Sequence, residues 1–251
     1  MTKEERYAAR FCELAEACYA KGRYTFTDFL GLAETDLFFR TLPSFSYVPY
    51  TLFGGAAGCE RVMARFGDEE SLGYAPPSFP IACLAITPAA PKFAEPLSHR
   101  DCLGALMNLG IKRECLGDIS QTEAGFFLFA EEKLASHITE NLTRIRHTAV
   151  RVAPCAAPAT VLQRSERMVV QVSAPRADAV LARAYHLSRE ESGALFPARL
   201  VFINGRLCTQ PSAALHEGDM LTARGYGRLR YVGAESLSRK GKQNTVIEKF
   251  I

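Results

Sequence analysis

Apolar positions recur at helical spacing from residue 3 to about residue 21, where Tyr7, Phe11, Leu14, Ala15 and Cys18 share one stripe. Gly22 then supplies a stop. After that the period breaks. Phe26 to Leu30 opens a mixed region, Tyr47 to Phe53 alternates as a strand and ends at Gly54-Gly55, and Cys59 to Phe66 reads as a helix. Pro76, Pro77 and Pro80 mark a boundary. Ile81 to Thr87 is a short apolar strand. Ser98 with Asp101 opens a helix as a capping box does, Asp standing in for Glu; Leu103, Leu106, Met107 and Leu109 are its apolar face, and Gly110 ends it. A strand around Ile119 and another over Gly125–Phe129 form a hairpin. The spacing of Leu134, Ile138, Leu142 and Ile145 predicts a helix over 133–145, and Thr148 to Val152 closes as a strand. A proline-alanine linker covers 154–158, and Met168 to Val172 is a strand. The stretch from Ser236 to Asn244 is polar and basic and reads as a flexible tail.

Between 77 and 155 the order is strand, helix, strand, strand, helix, strand. This is the ferredoxin-like arrangement, which RNA-recognition-motif (RRM) domains also use. The expected fold class is therefore α+β in three small domains: an N-terminal mixed α/β domain over 1–76, a central ferredoxin-like, RRM-like domain over 77–155, and a C-terminal domain over 165–251. A length of 251 residues suits that number.

Charge separates the last third from the rest. Residues 160–251 hold 14 Lys+Arg against 8 Asp+Glu, a net of +6, whereas residues 1–159 hold 16 against 19, a net of −3. A basic end on a mildly acidic body points to a polyanion partner. The N-terminus is charged where a signal peptide would be apolar, and no apolar run approaches the roughly 20 residues of a membrane span. The eight cysteines are scattered without a Cys-x-x-Cys pair, the pattern of reduced core thiols. A cytoplasmic protein without membrane contact is expected.

The chemistry of polyanion binding is written locally between Arg176 and Arg230. Asp178 falls in the first turn of one short helix. Ser188 is a natural N-cap for a second, with Arg189 at its first position, and a helix N-terminus beside an arginine suits a phosphate. Asn204-Gly205 is a two-residue hairpin turn between Val201-Phe202-Ile203 and Arg206-Leu207. Arg176, Arg183, Arg189, Arg199 and Arg206 are expected to line one surface with Ser188 and Asn204, since guanidinium groups grip phosphates and stack on bases. Arg224, Tyr226, Arg228 and Arg230 extend the strip, with Tyr226 or Tyr231 available for stacking, and Arg239, Lys240 and Lys242 add non-specific attraction. The order R-x-D, S-R, V-x-I-N-G, P-S, G-D resembles the small RNA-binding fold named after small-subunit ribosomal protein four, the S-four domain, over about 55 residues. Ala177, Ser192 and Arg199 depart from that pattern, Arg199 standing where glycine is usual.

A second informative run covers Leu97 to Ile119. His99-Arg100-Asp101 tempts a kinase reading, but Leu106 stands where that signature needs asparagine. The better reading is a helix with His99 and Arg100 at its start and Lys112 and Arg113 at its far end, a second RNA contact. With Phe53-Gly54-Gly55 and Glu60-Arg61-Val62 upstream, this run resembles the YlmH family, bacterial proteins with an N-terminal domain, an RRM-like domain and a C-terminal S-four domain. The resemblance implies binding to ribosomal and transfer RNA on the large ribosomal subunit, a part in quality control of stalled nascent chains, and an association with cell division. It implies no DNA partner.

Other patterns carry less. Gly54-Gly55-Ala56-Ala57-Gly58 lacks the Lys-Ser/Thr of a nucleotide loop. Phe126, Phe127 and Phe129 sit where RRM domains carry stacking aromatics, yet core packing is expected for at least two of them. The five histidines show no metal spacing, and no catalytic constellation stands out. The expectation is a non-enzymatic RNA-binding protein without cofactor or metal. The alternatives are a pseudouridine-synthase-like enzyme targeted by its S-four domain, and a protein adaptor for division machinery.

Overall fold

The structure, a computed structural model, describes residues 1–161, 165–237 and 243–250. It divides into two compact units, 1–161 and 162–251. In both, helices and antiparallel sheets segregate as in α+β proteins.

The first unit begins with α1 (Lys3–Lys21). Thr2 Oγ1 accepts from Glu5 N at 3.1 Å, Glu5 Oε2 accepts from Thr2 N at 2.8 Å, and Gly22 closes the helix at φ 58°. Phe11, Leu14, Ala15 and Cys18 are its buried face, the stripe that periodicity marks. They pack with α2 (Leu32–Thr41) over a sheet of β1 (Thr25–Phe26), β2 (Tyr50–Phe53) and β3 (Met63–Phe66), in the order β1-β3-β2. The helix expected over Cys59–Phe66 is therefore wrong: its second half is the central strand. Ala64 and Phe66 belong to the core under α1, while Met63 points the other way into a core with Phe29, Ala56, Cys83 and Phe129. A strand buried on both faces has no polar side, so it loses its alternation and passes for a helix. The short α3 (Glu69–Leu72) follows, capped by Asp68.

Further along come β4 (Ile81–Pro88), α4 (His99–Asn108), β5 (Leu116–Thr122), β6 (Gly125–Glu131), α5 (Ala135–Asn141), β7 (Arg144–Ile145) and β8 (Thr148–Pro154). The sheet order is β5-β6-β4-β8-β7 with antiparallel neighbours, the split β-α-β topology with one short strand added at the edge. Ser98 and Asp101 form the capping box of α4, with the serine amide 2.9 Å from the Asp101 carboxylate. Helical spacing over 133–145 overruns the helix, which ends at Asn141; the Asn141 amide returns to His137 O at 2.8 Å. Leu142 and Ile145 reach the same core as Ile138, but from a turn and from β7. Burial thus continues where the helix does not.

One face of this sheet packs on α4 and α5 through Leu84, Ile86, Leu106, Leu128 and Ile138. The other is partly capped by the N-terminal segment. Phe129 is fully buried there with Phe29, Ala56 and Met63. Gly55 holds φ 106° against that ring, and a Cβ on it would stand 2.2 Å from Phe129 Cδ1. The Gly54-Gly55 stretch is thus a packing device rather than a phosphate cradle. Arg61 fastens the cap: Nε donates to Leu116 O at 2.7 Å, and Nη2 donates to Phe29 O at 3.0 Å and Arg113 O at 3.1 Å. The Asp118 carboxylate accepts from the amides of Glu60 and Arg61 at 2.7 and 3.0 Å.

The second unit contains β9 (Ser165–Val172), α6 (Ala177–Ala184), α7 (Arg189–Ala194), β10 (Val201–Ile203), β11 (Arg206–Leu207), β12 (Met220–Ala223), β13 (Gly227–Leu237) and β14 (Gln243–Phe250). They form an antiparallel sheet in the order β11-β10-β12-β13-β14-β9. Val180, Leu181 and Ala184 of α6 bury against Leu221, Leu229, Tyr231 and Ile247. The flexible tail expected from Ser236 to Asn244 is not what the described residues form: Ser236 pairs with Asn244 and Leu237 with Gln243 in the β13–β14 ladder, and residues 238–242 lie outside the described set. Polarity misleads there because Gln243 and Asn244 open a strand whose buried residues, Thr245, Val246 and Ile247, come only afterwards.

Two glycine substitutions separate packing from propensity. Gly55→Ala should lower unfolding free energy by about 2–4 kcal/mol, from the left-handed backbone and the Phe129 collision together. Gly104→Ala, on a helix position with open space around it, should raise it by about 1 kcal/mol. Urea denaturation of both variants checks the pair.

Candidate nucleic-acid interface

In the second unit, α6 starts at Arg176, whose fork closes on the Asp178 carboxylate, with Nε to Oδ1 at 3.0 Å. The aspartate, through that hydrogen bond and its charge, raises the arginine pKa further. Arg176 therefore meets any ligand as half of an ion pair. Arg183, in the last turn of α6, is exposed, as are Arg189 at the start of α7 and Arg199 beyond its end. None of the three has a side-chain hydrogen bond or ion pair among the described residues.

The N-terminus of α7 is not an open phosphate seat. Ser188 Oγ accepts from Glu191 N at 3.1 Å, Glu191 Oε2 accepts from Ser188 N at 2.7 Å, and Glu190 adds a second acid to the first turn. Those bonds to Ser188 hold the Glu191 pKa below its usual value. The helix end is satisfied by its own carboxylates, which leaves the Arg189 side chain, not the backbone amides, for an anion.

Arg199 takes φ 59°, a conformation normally left to glycine, and Asn204 and Gly205 take φ 50° and 78° in the tight β10–β11 turn. Asn204 is occupied: its Nδ2 donates to Asp219 Oδ1 at 2.7 Å and its Oδ1 accepts from Met220 N at 2.9 Å. It shapes the turn that carries exposed Arg206. Tyr226, 44% exposed, leans on Tyr185 with ring centroids 5.7 Å apart. Lys249 Nζ lies 4.9 Å over Tyr185, whose hydroxyl is pushed up to about 12 by burial. Lys249 carries no sequence signal beyond being one cation in a polar stretch, and it becomes visible only through β14. Tyr231 is buried in the core and cannot stack on a base.

The expected extension of the strip through Arg228 and Arg230 falls on the other side of the sheet from the helices. Leu221 and Leu229 face the helices, so Thr222, Arg228 and Arg230, their alternating neighbours, project from the opposite side of the sheet. There Arg230 pairs with Glu248 at 3.1 Å and lies 5.4 Å from the Phe250 ring, and Arg224 lies 5.0 Å from the Phe202 ring. Arg183 and Arg189 stand on the helix layer, apart from these residues. Arg239, Lys240 and Lys242 lie outside the described residues.

In the first unit, His99 and Arg100 open α4, but Lys112 and Arg113 lie past its end, in the turn before β5. Arg100 and Lys112 are exposed. Arg113 turns inward, donating from Nη1 to Leu116 O at 2.8 Å and Gly117 O at 3.1 Å. Burial, then the neighbouring Arg61 cation, lowers its pKa to about 10, so it stays charged at neutral pH. Burial, then Arg113, likewise lowers that of His99. Phe126 and Phe129 are buried, as the core reading of these aromatics expects.

The second unit is a small helical layer on an antiparallel sheet with cations outside it, and no group of residues that could hold a metal ion is found among the described residues. The family model described as "Putative RNA-binding domain in YlmH" matches residues 77–158. The chain's central domain is thus similar to that of YlmH proteins. The chain is 33% identical over 165 residues, 64% of its length, to "Ribosome-associated protein quality control protein P2" of Bacillus subtilis (strain 168). That match spans 63% of the relative, under two thirds of it. Among solved structures, "Cell division protein ylmH from Streptococcus pneumoniae" aligns with 62% of this chain and 93% of its own, at 19% identity and a TM-score of 0.49. No helix among the described residues is long and apolar enough to cross a membrane.

Backbone strain at Arg199 and the carbonyl contacts of Arg113 predict opposite stability effects. Arg199→Gly should stabilise by about 1 kcal/mol. Arg113→Ala should destabilise by about 2–3 kcal/mol, because two carbonyls lose a buried charged donor. Thermal and urea unfolding curves of the two variants distinguish them.

Proposed function

We propose that this protein binds structured RNA through the helix layer of its second unit and acts at the large ribosomal subunit in quality control of stalled nascent chains. The observation that carries the reading is the set of three exposed, unpartnered arginines, Arg183, Arg189 and Arg199, around α6 and α7, with Arg206 and Tyr226 on the neighbouring turns. Free guanidinium groups on a rigid helical corner bind phosphates bidentately, and an exposed tyrosine adds a stacking surface. We read this unit as an S-four domain, because the arginines and the Asn204-Gly205 turn fall where that fold carries its RNA contacts. The first unit is read as two domains divided near residue 76. The reading extends to ribosomal and transfer RNA as partners and to a cytoplasmic, non-enzymatic role; the ribosome-associated Bacillus subtilis relative supports its ribosomal part. Two modest sites on one chain, Arg100 and Lys112 being the second, gain affinity through effective concentration.

The charge-reversed variant Arg189→Glu/Arg206→Glu should bind an RNA hairpin at least about tenfold more weakly in filter-binding titrations, with an unchanged melting temperature, since both residues are exposed. In sucrose gradients of lysate the parent protein should travel with large subunits and leave them as salt rises. Recovery at the top of the gradient at every salt concentration, with hairpin affinity unaltered in the variant, would remove the proposal.

A further inference from the structure

Two cysteines meet where the chain leaves the central sheet. Cys83 lies in β4, and Cys155 directly follows β8, one position beyond the pair Leu84↔Pro154. Their backbones continue that ladder, with Cys155 N donating to Cys83 O at 3.0 Å. Both side chains pack in the cluster under the N-terminal segment, and the two sulfurs stand 3.5 Å apart. Residues opposite one another in an antiparallel ladder have Cα atoms about 4.5–5.5 Å apart, inside the span of a disulfide. Bringing the sulfurs to about 2.05 Å therefore asks for side-chain rotation rather than a strand shift. A cavity of about 340 Å³, lined by Cys83 with Phe53, Gly55, Phe79 and Phe129, leaves Cys83 loosely packed on one side. Burial, then the contact with Cys155, raises the Cys83 pKa above the ordinary thiol value. Cys83 is buried and Cys155 half-buried, so Cys155 is the sulfur that a dissolved reagent meets first. Past Cys155 the chain runs along the N-terminal segment. Ala57 N donates to Ala159 O at 3.2 Å, and Val161 N and Thr160 Oγ1 donate to Ala57 O at 3.0 and 2.9 Å.

We propose that Cys83 and Cys155 form a dithiol that low-molecular-weight disulfides oxidise, and that the resulting link clamps residues 155–161 to the sheet. The Cys155 thiolate attacks one sulfur of the reagent, forming a mixed disulfide and releasing one thiolate. Cys83 then gives its proton to solvent and attacks Cys155 Sγ, forming the protein disulfide and expelling the second thiolate. The released thiolates take up the two protons, so the cysteines lose two electrons and the reagent gains them. In a reducing compartment such a bond is transient, and it works there as a sensor rather than a permanent staple. The clamp does not depend on RNA binding, since neither sulfur belongs to a surface proposed to touch RNA.

The test incubates the folded full chain with glutathione disulfide, blocks the remaining thiols by alkylation and reads the peptides by mass spectrometry before and after reduction. Cys83–Cys155 should be the main linkage. It should slow amide hydrogen exchange in residues 155–161 at least about tenfold and raise the melting temperature by about 5–10 °C, both reversed by dithiothreitol. Cys155→Ser, a change at a half-buried position, should abolish both effects. Cys83 and Cys155 both found alkylated after the incubation, or linked only in urea, would overturn the proposal, as would a link that leaves exchange in 155–161 unaltered.

Discussion

The burial of the Phe129 ring sets the architecture of the first unit. It projects from the sheet face that lacks helices, so something else must keep water from it. The N-terminal segment does so, and it comes close enough only because Gly55 and Gly117 have no side chains where a Cβ would strike Phe129 or Phe29. Burying a phenylalanine contributes on the order of 2–3 kcal/mol, and the Arg61 and Asp118 hydrogen bonds then give that packing a single register. Two segments that differ in pattern are thereby made into one compact unit.

This arrangement divides the work of the cations. Arg61 and Arg113 serve backbone carbonyls, where a planar group with several donors satisfies oxygens that the sheet leaves open. Their charge is shielded, and their value is structural. In the second unit the sheet sorts arginines by parity. Arg224 and Arg230 lie over Phe202 and Phe250, Arg230 also beside Glu248, while Arg183 and Arg189 on the helices have no side-chain partner among the described residues. A basic composition thus produces only a small surface with strong pull on an anion.

The legible parts of the chain were those where one element faces one core. The stripe of α1, the capping box at Ser98 and Asp101, and the Asn204-Gly205 turn follow from local chemistry, and local chemistry decides them in the structure. β3 was illegible because it has a core on each side, and the 133–145 stretch because three elements in succession feed one core at helical spacing. The candidate site behaved alike. Arg183, Arg189 and Arg199 were readable as exposed cations, but the inward turn of Arg113 depends on carbonyls of β5, and the split between Arg183 and Arg228 depends on strand parity. Neither is written within a few residues of the arginine concerned.

β14 lies between β13 and β9, and β9 has no other neighbour in the sheet. Residues 165–172 therefore wait for a partner some seventy positions away, while α6, α7 and the β10–β12 ladder assemble from nearby segments. Closing so long a loop is the slow, entropically costly event in such a fold. A nascent chain emerging from a ribosome would expose β9 as an unpaired edge until residue 250 had followed it out. The helix layer shares that dependence, because Val180, Leu181 and Ala184 of α6 pack in one core with Val170 and Val172 of β9. The part of the molecule proposed to touch RNA is thus fully packed only once the last strand has closed the sheet behind it.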